Sequence, residues 1–340
     1  LEIHKSQIIN HKSKILFVHN HLASFVRIDR DLLAEKYDVR EWFQRRRAVN
    51  VFALRRAVAE CDLVFGWFAS WHTFFPILIA QQQRKPSILV VGGYDSANLP
   101  EIRYGNLRGG FKAWLTRATM QRATALITNS QFTRNEVIEN ARVQPERVTA
   151  IYHGLDATPA PNLPKKDLVV TVGNVDRANL ERKGLNAFVR AAADLPNVPF
   201  VVVGTWRDDA IAELKKIASS NVEFTGWVET ERLENYLARA RVYAQPSRHE
   251  GFGMAVAEAM LYQCIPVITR AGALPELVGD SGVYAESHAP RAIADAIQHA
   301  LTLDAHWGHC ARARIIQEFP MNARREKLFA LVDKLLSADR

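Results

Sequence analysis

Two acidic residues eight positions apart, Glu250 and Glu258, bracket a Gly251-Phe252-Gly253 turn in the stretch Ser247–Glu276, SRHEGFGMAVAEAMLYQCIPVITRAGALPE. Paired glycines let a backbone turn sharply and come close to a ligand. The helix-forming run Met254–Leu261 opens directly afterwards, and the free N–H groups from Gly253 to Ala255 at its start favour an anion such as a diphosphate. Glu258 falls on the second turn of that helix, so one carboxylate stands at the mouth of a groove and the other deeper along it. A carboxylate accepts two hydroxyls at once, as a ribose or a hexose presents them. Two other readings stand beside this one: a helix-capping acid at 250 with a solvated acid at 258, and a pair of hydrolytic carboxylates. Both acids lie around one glycine-rich anion site, which fits sugar-nucleotide binding better than hydrolysis.

A second cluster, Val172–Gly184 (VGNVDRANLERKG), follows an apolar run and carries Arg177, Arg182 and Lys183. Cations on a strand-end loop neutralise the charge that develops on a leaving diphosphate. The plainer alternative is a solvated basic loop. Cys61, Cys264 and Cys310 show neither CxxC nor metal-ligand spacing, so free thiols in a reducing compartment are expected.

The elements that must hold these clusters come in two series. In the first half, the runs at 14–18, 63–67, 87–91 and 125–128 read as strands, with helices at about 28–36, 51–60, 72–82 and 109–122. Strand–helix alternation implies a mainly parallel sheet covered on both faces. The Pro-rich segment 157–166 reads as a linker. The pattern restarts at 168–172 and continues through 200–203, 222–225, 242–245 and 266–268. The expected fold is α/β, with two doubly wound Rossmann-like domains facing a central cleft: 1–160, 161–320, and a last helix in 321–340 that packs back on the first domain. Ligands of such sheets bind beyond the carboxyl ends of the strands, where Gly173 and Gly226 fall.

With 48% hydrophobic and 24% charged residues the chain is globular. No apolar stretch approaches a membrane span, and the polar start at 1–13 has no signal-peptide core. The net charge of +8 lies wholly in residues 1–160, which hold 22 Lys and Arg against 14 Asp and Glu. That excess calls for an acidic partner, either an anionic membrane surface or an acidic acceptor. No nucleic-acid reader motif is present. The basic stretches 45–56 and 108–122 mix Arg or Lys with Trp, Phe and Leu, as helices lying on anionic headgroups do and as ordinary amphipathic helices do.

Glu250-Gly251-Phe252-Gly253 with Glu258-Ala259, followed by Pro266-Val267 and Gly272 with Glu276, resembles the signature of retaining family 4 glycosyltransferases of the GT-B fold. Lys183-Gly184, Phe224-Thr225-Gly226-Trp227 and His153-Gly154-Leu155-Asp156 resemble three further pieces of that family. The resemblance implies that Glu258 holds the ribose, and that Glu250 with the backbone of Phe252 and Gly253 holds the donor sugar. Met254 and Ala255 N–H groups and Lys183 then take the diphosphate, and the base lies near Gly226, Trp227 and Val228. It further implies a hexosyl transfer, with no metal and no cofactor, from a nucleotide sugar as co-substrate to a glycan, lipid-linked or small-molecule acceptor, in the cytoplasm or at the inner membrane face. Where the family has Arg after the strand glycine this chain has Asn174, so Arg182, or else Arg177, is the expected second cation. Tyr94 stands where the family often has His, and His19, His21 and Asp95 are the remaining acceptor-side candidates; Tyr94 and Asp95 with the nearby segment 100–105 read either as an acceptor loop or as a plain turn. A GT-B nucleotide-sugar epimerase and a catalytically silent nucleotide-sugar-binding protein are the alternatives. A dehydrogenase is disfavoured, because no GxGxxG follows the first strand.

Overall fold

The computed structural model describes residues 12–45, 48–157 and 163–338. Half of the expected linker, at 158–162, and Arg46–Arg47 of the first basic stretch lie outside the described residues.

Two six-stranded, all-parallel sheets form the frame. The first holds β1 (Lys14–His19), β2 (Asp38–Phe43), β3 (Leu63–Trp67), β4 (Ser87–Val91), β5 (Ala125–Thr128) and β6 (Val148–Ala150), in the order β2-β1-β3-β4-β5-β6. The second holds β7 (Lys166–Val172), β8 (Phe200–Val203), β9 (Val222–Gly226), β10 (Ala240–Gln245), β11 (Ile265–Ile268) and β12 (Val283–Tyr284), in the order β12-β11-β10-β7-β8-β9. Central strands such as Ser-Ile-Leu-Val-Val in β4 and Phe-Val-Val-Val in β8 are buried at every position, because helices cover both faces. Each sheet therefore has a core cluster on either side.

β2 was not expected. Its sequence, Asp-Val-Arg-Glu-Trp-Phe, is charged and half-exposed, as suits an edge strand, and it carries no apolar run to read. β6 and the helix Gln131–Ala141 are likewise additions to the sequence reading.

In the second sheet the strand order reverses between β7 and β10, which places a crevice at their carboxyl ends. Both site clusters leave from there. The last helix, Met321–Ala338, lies on the first sheet: Leu328 and Val332 are fully buried beside Phe17 and Leu33. Arg324 makes two 2.7 Å bonds to the Asp29 carboxylate and donates to the Ile151 and Tyr152 carbonyls. Full pairing is what makes a buried charge tolerable.

Contacts between side chains and loops join the two halves. The Glu276 carboxylate accepts the Gln131 and Phe132 N–H groups at 2.8 and 2.5 Å, so an acid of the second half caps a helix of the first. Thr133 Oγ1 donates to the Gly251 carbonyl at 3.2 Å, and His249 Nε2 lies 2.9 Å from Glu136 Oε1. Among the described residues, no helix is long and apolar enough to cross a membrane.

Candidate active site

β10 ends at Gln245, and the chain turns through Ser247–Gly253 into the helix Met254–Leu261. Gly253 caps that helix at φ +104°, a conformation that side-chain-bearing residues rarely adopt. The first bond back along the helix is Ala257 N–H to the Gly253 carbonyl, so the N–H groups before it have no partner within the helix.

From β7, Gly173 and Asn174 lead into a segment expected as a loop. It folds instead as a short helix, Arg177–Arg182, because the Asp176 side chain caps it by accepting Asn179 N–H at 2.9 Å. The helix stops at Lys183, with Gly184 left-handed beyond it. Arg182 and Lys183 thereby reach the carboxyl end of β10.

These pieces meet around Glu250. Its Oε1 accepts Arg182 Nη1 at 3.0 Å, Gln245 Nε2 at 3.0 Å and Ser247 Oγ at 3.3 Å, and Lys183 Nζ is 3.9 Å away. No hydrogen bond from the described residues falls on Oε2. Burial pushes the Glu250 carboxyl up, but Arg182 and then Lys183 outweigh it, so its pKa lies below the ordinary value and it stays ionised. Lys183 Nζ donates to the Val172 carbonyl at 3.2 Å. Burial lowers its pKa, against the pull of Glu250. The Glu258 carboxylate accepts no hydrogen bond from the described residues, and burial raises its pKa while Lys183 opposes the rise.

The groups line one cleft of about 690 Å³ between the two sheets, together with Gly173, Asn174 and Gly251–Ala255. A second cavity of about 330 Å³ adjoins it at Met254 and Glu258, walled by Leu155, Asp156, Thr230 and Leu233. Tyr94 and the Pro100–Gly105 segment close the first cleft from the N-terminal side.

Asn129 was not singled out from sequence, and Tyr104 only as part of the segment 100–105. Tyr104 stacks on the Arg182 guanidinium at 5.3 Å and packs against His249 and Tyr94. Asn129 lines the cleft, and its Oδ1 is buried without a partner among the described residues. His153, read before only as part of a motif, stacks on Trp67 and meets Phe252 edge-on. Burial, then Arg324, depresses its pKa well below the usual imidazole value, so it is neutral. A polar residue just past the β5 apolar run was the available signal for Asn129; the segment 100–105 was read as a candidate loop, but nothing local marks the contact of Tyr104 with Arg182.

Several expected residues are not brought to this cleft. His19 is 4% exposed and sits 3.1 Å from Glu41, because the neighbouring strand β2 supplies that acid beside it. His21 is exposed and lines neither cavity. Asp95 turns inward: its carboxylate accepts the Ala69, Gly92 and Gly93 N–H groups, and burial pushes its pKa up to about 6. It shapes the loop that carries Tyr94. Arg177 pairs with Asp209 and Glu213 at the surface, leaving Arg182 as the second cation at Glu250. Gly226, Trp227 and Val228 line neither cavity, and Trp227 is 66% exposed. Among the described residues, no group of three or more His, Cys, Asp and Glu side chains gathers as metal ligands do.

Residues 16–158 match the family described as Glycosyltransferase Family 4, and residues 166–302 match Glycosyl transferases group 1. The O-antigen chain mannosyltransferase B of Escherichia coli is 27% identical over 218 residues, covering 58% of this chain and 56% of the relative, so the match spans little more than half its length. The MMP alpha-(1->4)-mannosyltransferase of Mycolicibacterium hassiacum is 28% identical over 194 residues, covering 53% of this chain and 46% of the relative. Among solved structures, Anabaena HepE in complex with UDP and glucose superimposes with a TM-score of 0.74 at 19% identity, over 95% of this chain and all of HepE. Two family matches, one on each sheet-bearing half, together with the parallel-sheet pair and its crevice, place this chain in the family 4, group 1 glycosyltransferases of the GT-B fold.

Proposed function

We propose that the protein transfers a hexose-type sugar from a nucleoside-diphosphate sugar to a hydroxyl of a glycan, lipid-linked or small-molecule acceptor, without a metal ion and with retention of anomeric configuration, on the cytoplasmic side. The observation that carries this reading is the convergence of Arg182, Lys183 and a glycine-capped helix start on Glu250 at the switch-point crevice. Lys183 and the N–H groups of Met254 and Ala255 hold the diphosphate. Glu258 accepts the ribose hydroxyls, and the base extends toward the adjoining cavity at Met254 and Thr230. Glu250 accepts sugar hydroxyls through Oε2 and stabilises positive charge on the ring as the bond weakens.

In the step itself the bond from the anomeric carbon to the phosphate oxygen breaks, and a bond from that carbon to the acceptor oxygen forms on the same face. The acceptor proton passes to the departing diphosphate. Lys183 and Arg182 carry the charge compensation that a divalent cation would otherwise supply. Support also comes from the relatives: HepE was solved with UDP and glucose, and the Escherichia coli relative is named a mannosyltransferase.

The experiment is a donor screen by thermal shift, since a true donor raises the melting point by mass action. Turnover of the selected donor is then followed with and without acceptor by NMR. Product with unchanged anomeric configuration, formed only with acceptor, supports the reading. Conversion of donor alone into an epimer contradicts it.

A further inference from the structure

Helices that follow the strands of a parallel sheet begin at its carboxyl edge, which in the first sheet is the edge facing the cleft. The first two turns of these helices carry aromatic residues that the core does not use. Phe111 and Trp114, on the helix Gly110–Arg122, are 75% and 53% exposed. Their rings stack at 5.5 Å; Trp114 meets Phe74 at 6.2 Å, and Phe74 meets Phe75, on the neighbouring helix Trp71–Gln82, at 5.4 Å. Phe52, on the first turn of Val51–Ala59, is exposed at the same edge. A contiguous exposed aromatic patch of this kind marks a contact surface.

Its surroundings state the chemistry of the partner. Residues 103–135 carry six Lys and Arg and no Asp or Glu. Arg122 lies over the Phe74 ring, and Lys112 lies over Tyr94 at 4.8 Å with its Nζ 3.3 Å from the phenol oxygen. Tyr94 lines the cleft, so Lys112, next to Phe111 in the chain, links the patch to the N-terminal side of the candidate site. Aromatic rings suit the boundary between headgroups and acyl chains, and cations beside them suit anionic headgroups.

The geometry points to an anionic lipid bilayer surface as the partner: Phe111, Trp114 and Phe75 enter the headgroup layer, Arg108 and Lys112 pair with its phosphates, and the cleft mouth at Tyr94 faces an acceptor held at that surface. The inference rests on the transferase reading for its acceptor but not for its surface chemistry. Neither aromatics nor cations alone would suffice; together on one edge they select a charged interface over a neutral one.

The protein is sedimented with vesicles of phosphatidylglycerol and phosphatidylcholine, and with pure phosphatidylcholine, at low and high salt. Binding is expected only to the anionic vesicles, weakening with salt. Phe111→Ser with Trp114→Ser is expected to lower the partition about tenfold or more, since each ring removes apolar area that the interface would bury. Arg108→Gln with Lys112→Gln is expected to erase the preference for phosphatidylglycerol. Donor-induced thermal shift, read on the same aromatic variant, should remain as in the wild type and shows that it is folded. No binding to anionic vesicles, or aromatic-dependent self-association in place of it, overturns the inference. Vesicle binding without any donor response would instead overturn the transferase reading and leave the surface standing.

Discussion

Gly93 and Gly251 face each other across the boundary between the two sheets: a Cβ on Gly93 would lie 2.9 Å from Gly251 Cα, and one on Gly251 would lie 2.6 Å from the Gly92 carbonyl oxygen. The glycine beside Glu250 is therefore required by the opposite domain, whatever it does for a ligand. Gly251→Ala is expected to push the two loops apart while leaving each core intact. Turnover should fall by about 10–100-fold, since displacements of about 1 Å cost that much in positioning. Affinity for a nucleoside diphosphate, held by the C-terminal half, should change little. Steady-state kinetics beside calorimetric titration checks both, and wild-type turnover would show that the close contact is not needed.

Glu250→Gln keeps the size of the side chain and one acceptor oxygen for Arg182 but removes the charge. Turnover is expected to drop by about 100-fold, the loss typical of one electrostatic group acting at a developing charge. Nucleotide affinity should stay within a few-fold. A variant with unchanged kcat would remove Glu250 from the chemistry.

Glu258→Ala should act in the opposite sense. Loss of charge-assisted hydrogen bonds to two hydroxyls costs about 1.5–3 kcal/mol, or about 10–100-fold in nucleotide affinity. Calorimetry with the free nucleoside diphosphate reads it directly, and equal affinity would refute the ribose assignment.

Burial sets Lys183 below the 10.5 of an ordinary lysine, so its positive charge is lost earlier as pH rises. The alkaline limb of kcat/KM, which reports the free enzyme, should therefore fall below that pH. Glu250, held below 4.5, stays charged throughout this range. Lys183→Arg should lower the rate and move the alkaline limb upward. A limb that stays in place in the variant would assign it to another group.

Much of this site could be read from the sequence because its parts are local. Glu250, Gly253 and Glu258 share one turn and helix, and Lys183 follows one strand end. The buried runs of β4 and β8 declared a parallel sheet in the same way. What escaped depends on neighbours remote in sequence. Tyr104 matters only because the domains bring it onto Arg182, and the Gly93–Gly251 contact exists only between domains. Asp95 looked available until three backbone N–H groups claimed it, and His19 until edge strand β2 brought Glu41 beside it. Residues 172–184 read as a loop because a helix of six residues, Arg177–Arg182, is too short to show an apolar period.

The most direct test is a crystal structure of the protein with a nucleoside-diphosphate sugar. The diphosphate is expected at the N–H groups of Met254 and Ala255 with Lys183 Nζ in contact, the ribose on Glu258 and the sugar against Glu250. A ligand bound elsewhere, or a Lys183 side chain turned away from the phosphates, would contradict the account.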